Sequence, residues 1–180
     1  MKQSNPTSRS GHSAVRLYNV IFPIALLILF PATWIIVLPA NFLIDSLVLF
    51  GALLAFRVPR AGKNWMQAIW KTWILGFVAD LVACGILLLG IVFDRYDTPL
   101  TNWLADHVFL PACINPYQTW ESFVLVVLVV AFAGWLIYLF NRKYALRNTE
   151  LSDVQKRRVA LTLAILTAPY VLFVPTVWMK

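Results

Sequence analysis

Two aspartates stand inside long apolar stretches and are the residues best placed to do chemistry there. Asp45 lies in the apolar run 42–58, and Asp80 lies in the run 70–93. An ionised carboxylate at the centre of a bilayer costs about 3 kcal/mol on insertion scales, so a partner, water or a proton must offset it. One interpretation makes the pair an ion or proton site, with Asn41 as a further intramembrane polar candidate. The other makes each aspartate an interhelical hydrogen-bond partner or a contact with another subunit.

Small residues share the helical face of Asp80. They stand one, three or four positions from it and are Gly76, Ala79, Ala83 and Cys84. Small side chains let helices approach closely, so we expect this face to pack inside the bundle and Asp80 to point inward. Asp45 falls nearer the outer end of its predicted span, whereas Asp80 lies deeper. The sequence therefore does not require the two carboxylates to be close.

The sequence carries none of the familiar catalytic motifs. It has no Gly-x-Ser-x-Gly, no His-Glu-x-x-His and no glycine-rich phosphate loop. The acidic residues of the segment 94–119 lack the spacing of metal ligands, and two cysteines cannot form a disulfide framework. We therefore expect no enzymatic activity, no metal and no cofactor.

The composition of the 180 residues predicts a membrane protein. Apolar types make up 61% of the chain and charged types 13%, whereas a soluble domain is about half apolar and about a quarter charged. Too few polar side chains remain to coat a water-soluble globule, which excludes a cytosolic enzyme and a disordered protein. The net charge of +7 comes from short basic clusters between apolar runs, which is typical of cytoplasmic membrane flanks. Nucleic acid is therefore not an expected partner.

Five apolar runs predict an all-α, polytopic transmembrane bundle. Residues 1–16 are polar and are interpreted as a disordered cytoplasmic tail, and residues 17–178 as the bundle. The predicted spans cover about 17–38, 42–58, 70–93, 120–140 and 159–178.

Local signals predict how these spans are joined and where the last one ends. Pro39-Ala40-Asn41 predicts a tight turn between the first two spans. The sequence from Ser152 to Gln155 fits a helix-starting capping box. Pro169 and Pro175 are expected to kink the last span or end it early.

The basic residues predict an inner N-terminus and an outer C-terminus. With five spans, 13 of the 15 lysines and arginines fall inside and two fall outside, which satisfies the positive-inside rule. Merging the first two spans into one re-entrant pair would put both termini on the same side and both basic clusters outside, so the positive-inside rule disfavours it. The inner residues expected to contact lipid headgroups or a partner are Arg57, Arg60, Lys63, Arg142, Lys143, Arg157 and Arg158.

Three functional classes fit a multi-pass protein of the cell membrane with this sequence. Its small size, lack of a soluble domain and packing faces favour a subunit or accessory of a larger membrane assembly, without catalytic activity of its own. The alternative is a small oligomeric channel, transporter or pore that uses Asp45 and Asp80. An intramembrane enzyme has only these two carboxylates in its favour. The expected partners are bilayer lipids and other membrane proteins, in a homo- or hetero-oligomer.

Overall fold

The computed structural model describes residues 31–93, 96 and 98–175, with side chains described for 35–90, 96 and 98–175. All regular elements of these residues are helical. The α-helices are α1 Pro31–Ala55, α2 Ala61–Phe93, α3 Pro99–Leu104, α4 Leu110–Ile114, α5 Trp120–Phe140 and α6 Asp153–Leu166. Two π-helical turns, Ala105–Phe109 and Asn141–Ala145, and a 3₁₀ turn, Tyr170–Phe173, complete the described elements.

Three of these helices are long and apolar enough to cross a membrane. The apolar segments are Ile35–Ala55, Ala61–Gly90 and Trp120–Ala145, with 21, 30 and 26 residues. The shortest reaches about 31 Å at about 1.5 Å per residue, which matches a hydrocarbon core of about 30 Å. The prediction of a helical, membrane-associated protein is therefore confirmed at this level.

The predicted turn at Pro39-Ala40-Asn41 is wrong, because α1 runs through it without interruption. Pro39 cannot donate to the carbonyl of Ile35, but a turn would leave more backbone groups without partners. Those groups would find no water in lipid, so the continuous helix has the lower free energy. Asp45 consequently lies in the middle of a 25-residue helix and not near a helix end. The tail 1–16 and residues 17–30 of the first predicted span lie outside the described residues.

The connection between α1 and α2 is short and contains a left-handed residue near its start. Arg57 has φ 50°, while the amide of Val58 donates to the carbonyl of Leu53 at 2.9 Å and that of Arg57 to Leu54 at 3.0 Å. This pattern is the Schellman ending of a helix, with Arg57 in the place that glycine usually occupies. Helix α2 then begins at Ala61, nine residues before the predicted start of its span.

The last predicted span is interrupted. The capping box at Ser152 and Gln155 is present at the start of α6. The helix has only 14 residues and ends at Leu166, which gives about 21 Å and leaves the predicted continuous span 159–178 unformed in its described part. The prediction that the prolines end the helix early is confirmed, since Pro169 stands directly before the 3₁₀ turn.

The core lies between α1, α2, α5 and α6 and has two parts. Residues 56–60 connect α1 to α2 and residues 141–152 connect α5 to α6, and we call them the basic connections. The part of the core nearer to them is built around large aliphatic side chains, among them Leu49, Leu53, Ile69, Ile137, Leu146 and Leu163. The other part joins α2, α4 and α5 and includes Ala83, Leu87, Ala112, Val126 and Ala133. Both parts use the small face of α2, which allows α1 and α5 to approach it from two sides.

The two basic connections meet at one end of the bundle, which we call the basic end. Asn64 is fully buried there and donates to the carbonyl of Pro59 at 2.9 Å, while its own carbonyl accepts from the amide of Glu150 at 2.8 Å. Lys63 also donates to the carboxylate of Glu150 at 2.7 Å. The side chain of Gln155 donates to the carbonyl of Phe56 at 3.3 Å. These bonds tie the α1–α2 connection to the α5–α6 connection.

Candidate polar site between the helices

The carboxylate of Asp45 is buried against the backbone of α2. Asp45 is 2% exposed, and a methyl group placed on Gly76 would lie 3.3 Å from its Oδ2 atom. The absence of a side chain at Gly76 therefore makes the space that the carboxylate occupies. Ala79 and Ala83 are fully buried on the same face of α2, and Cys84 is half-buried.

Four polar side chains converge at this point from three segments of the chain. The carboxylate of Asp80 lies within electrostatic range of that of Asp45, and the side chain of Thr167 lies near the Asp45 carboxylate. The hydroxyl of Thr167 donates to the carbonyl of Leu163 at 2.9 Å. The side chain of Asn41 lies near the carboxylate of Asp80. We call Asn41, Asp45, Asp80 and Thr167 the polar site.

The antiparallel arrangement of α1 and α2 explains this convergence. Asn41 stands one turn before Asp45 on α1, and Asp80 stands one turn after Gly76 on α2. Residues four apart lie on one face of a helix. With Asp45 against Gly76, the opposite directions of the two helices bring Asn41 to Asp80. The sequence did not require the two carboxylates to be close, and the structure brings them together.

Two carboxylate oxygens of the polar site have no hydrogen-bond partner among the described residues. They are Asp45 Oδ2 and Asp80 Oδ1, and both are buried. Leaving a buried polar group unpaired costs about 1–3 kcal/mol, and more when the group is charged. Buried polar atoms in native proteins nearly all have partners, so these oxygens are the acceptors to which a proton or a cation would bind.

A cavity of about 430 Å³ adjoins the polar site. It lies between the first half of α1, the middle of α2 and residues 166–172, and Asn41, Asp80 and Thr167 face it. Asp45 does not line it. The two carboxylates therefore differ in access, because Asp80 opens onto the cavity while Asp45 is enclosed between the helices.

The predicted basic residues lie far from the polar site, on the surface of the basic end. Arg60 and Asp80 are 20 residues apart, which corresponds to about 30 Å along a helix. Arg142, Lys143, Arg157 and Arg158 are likewise exposed. The nearby Glu150 has its pKa lowered by its hydrogen bond and charge interaction with Lys63, with a smaller contribution from the charge of Arg60.

Sequence reasoning missed Thr167, because the predicted fifth span placed it inside a continuous helix. In the structure it follows the last residue of α6. A threonine two residues before a proline in an apolar run was the available signal, since the helix is disfavoured just before a proline.

Oxygen atoms dominate the polar site. Asn41, Asp45, Asp80 and Thr167 can offer carboxylate, amide and hydroxyl oxygens, which suit a proton or a hard cation. In the described part of the chain, no three histidine, cysteine, aspartate or glutamate side chains group together as metal ligands. Comparisons with protein-family models, curated proteins and solved structures find no match to this chain.

Proposed function

We propose that the chain is a multi-pass protein of the cell membrane that binds a proton or a small cation at Asp45 and Asp80, as part of a small oligomeric channel, transporter or pore. The observation that carries this proposal is the meeting of two carboxylates from different helices, each with a buried oxygen that accepts no hydrogen bond. The proposal assigns no catalytic step to the site.

The electrostatics of two close carboxylates support this function. Two ionised carboxylates repel each other, and the repulsion is strong where water is excluded. A proton or a cation bound at either Asp45 or Asp80 relieves the repulsion and satisfies a bare oxygen. Asn41 and Thr167 are neutral, so they lie beside the carboxylates without cancelling their charge. Ionisable groups inside membrane helices commonly mark such pathways.

The clustering of basic residues at one end of the bundle supports an orientation of the chain in the membrane. Both basic connections lie on this end, and Lys63 and Glu150 join them. The positive-inside rule then places the basic end in the cytoplasm, where its exposed lysines and arginines contact anionic lipid headgroups. On this topology α1, α2 and α5 are three crossings, and Pro31 begins on the outer side. An inner N-terminus with five spans would need a further crossing before Pro31.

A second candidate function is that of a subunit or accessory of a larger membrane assembly. Residues 167–175 are not α-helical, and α6 carries them about 21 Å from the basic end. Tyr170 and Val171 are 50% and 60% exposed. Irregular backbone at membrane depth is tolerated where protein covers it or where it lines a water-filled space. A neighbouring subunit over residues 167–175, in a homo- or hetero-oligomer, would supply that cover.

Flux through liposomes tests the first proposal. Purified protein is reconstituted, and uptake of protons, Na⁺ and K⁺ is followed for wild type, Asp45→Asn, Asp80→Asn and the matched control Asp106→Asn. Asp106 is exposed and lies outside the polar site. We expect flux in wild type and in the control, and the background of empty liposomes in the two site variants. No flux of any of these ions in wild type would contradict the proposal.

Cross-linking in native membranes tests the second proposal. A photoreactive residue at position 171 should capture a neighbouring membrane protein or a second copy of the chain, whereas one at exposed Tyr144 on the basic end should not give the same product. Recovery of the monomeric chain alone from position 171 would contradict an assembly at this surface.

A further inference from the structure

The cavity beside Asp80 is larger than a site for a bare ion requires. Its volume is about 430 Å³, whereas one water molecule occupies about 30 Å³ in the liquid. Sites for organic ligands commonly enclose about 300–1,000 Å³. The cavity therefore has the size of an organic ligand site.

The walls of the cavity are apolar and aromatic. Helix α1 contributes Ile36 and Val37, helix α2 contributes Phe77 and Leu81, and the segment after α6 contributes Leu172. Such walls stabilise hydrocarbon by removing it from water. They cannot replace the hydration shell of an inorganic ion, so they favour a ligand that has a large apolar surface.

One charge stands in this apolar lining. Asp80 is the only charged side chain among the described residues that face the cavity, and its Oδ1 atom is buried without a hydrogen-bond partner. The ligand that complements this carboxylate carries a single positive charge. The aromatic side chains of Phe77 and Tyr170 also line the cavity, and aromatic faces attract cations.

The cavity opens on the flank of the bundle. Ile36, Tyr170 and Val171 line it and are also 73%, 50% and 60% exposed. Its mouth is therefore edged by apolar side chains of α1 and of the segment after α6. A ligand that partitions into the bilayer can reach Asp80 from the side.

We infer that this cavity binds a lipophilic organic monocation, such as an aryl or alkyl ammonium or phosphonium ion, with the positive centre at Asp80 and the apolar groups against the walls. The inference goes beyond the proposed ion site, because it assigns an organic ligand to the cavity beside Asp80. Asp45 lies behind Asp80 and is not a contact of this ligand.

Equilibrium binding of methyltriphenylphosphonium to the detergent-purified full chain tests the inference. We expect saturable binding of one phosphonium per chain. Triphenylphosphine oxide has nearly the same shape and no net charge, so it should compete poorly. Asp80→Asn should weaken phosphonium binding at least about tenfold, which corresponds to about 1.4 kcal/mol, whereas Asp106→Asn should leave it unchanged.

A matched pair on α1 tests the position of the ligand independently of Asp80. Val37→Trp places a large side chain in the lining of the cavity and should weaken binding. Ile35→Trp adds the same side chain at a position that is 75% exposed and does not line the cavity, so it should bind as wild type does. If Asp80→Asn does not fold, this pair and the neutral competitor still decide the question.

The outcomes separate this inference from the proposed function. Absence of phosphonium binding, equal binding of the neutral compound, or full binding by Val37→Trp would overturn the inference. Ion flux that still depends on Asp80 would then leave the proposed function standing. Phosphonium binding that requires Asp80, without flux of any ion, would support the inference and contradict the proposed transport.

Discussion

Replacing each of two glycines on α2 by alanine should change the unfolding free energy in opposite directions. A methyl group on Gly90 would lie 2.3 Å from Cβ and 2.8 Å from Cγ of Phe109. Unbonded carbon atoms rest about 3.5–4.0 Å apart, so the two segments would have to separate by about 1.2 Å. The nearest atom is a Cβ, which a change of rotamer does not move. Gly90→Ala should therefore cost about 1–3 kcal/mol of unfolding free energy, the usual range for overpacking.

Gly85 provides the control within the same helix. A methyl group there would meet nothing within 4 Å, and alanine is favoured over glycine in a helix interior by about 1 kcal/mol. Gly85→Ala should therefore stabilise the protein slightly, and the two variants should differ by about 2–4 kcal/mol. Reversible unfolding in mixed micelles with increasing SDS measures both. Equal stability of the two variants would refute the close approach of α2 to Phe109.

Three further changes test other parts of the bundle. Asn64→Ala should lower the unfolding free energy by about 1–3 kcal/mol, because the Glu150 amide loses its acceptor; the same titration measures it. Glu150→Gln should remove the stabilisation from the Lys63 ion pair at neutral pH. The lowered pKa of Glu150 makes that stabilisation present above its unfolded value of 4.5 and lost as the pH falls, so thermal melts of variant and wild type should converge in acid. Gly76→Ala should displace the Asp45 carboxylate by a few tenths of an ångström and reduce liposome flux.

Each of these changes has an outcome that would contradict it. Asn148 is exposed, so an equal loss of stability in Asn148→Ala would show that the effect of Asn64→Ala is not specific. A difference between Glu150→Gln and wild type that stays constant with pH would exclude the ion pair as its cause. A methyl group on Gly51 would meet nothing within 4 Å. An equal loss of flux in Gly51→Ala would therefore show that the effect of Gly76→Ala does not come from displacing the Asp45 carboxylate.

Composition and periodicity were sufficient to predict the helical, membrane-associated character of the chain. Apolar runs of this length leave the backbone no other way to satisfy its hydrogen bonds in lipid. The start of α6 was also predictable, because Ser152 and Gln155 form a local motif that needs no tertiary contact. These features depend on residues that are close together in the sequence.

The arrangement of the polar site was not predictable by the same means. The residue types Asn41, Asp45 and Asp80 were recognisable, but their meeting depends on the register between α1 and α2. That register required α1 to continue through Pro39, whereas turn preferences drawn from proteins in water predicted a break there. Thr167 joins the site because α6 ends at Leu166, which is a consequence of packing as well as of the prolines.

The buried Asn64 has a mechanical consequence for the whole bundle. Its side chain bonds to both connections at the basic end. Lys63 at the start of α2 bonds to Glu150, and Gln155 in α6 bonds to Phe56. Helices fastened together at one extremity can move apart only at the other. Any separation of the helices beside Asp80 therefore has its hinge at the basic end, and breaking the bonds of Asn64 would change the helix spacing about 30 Å away.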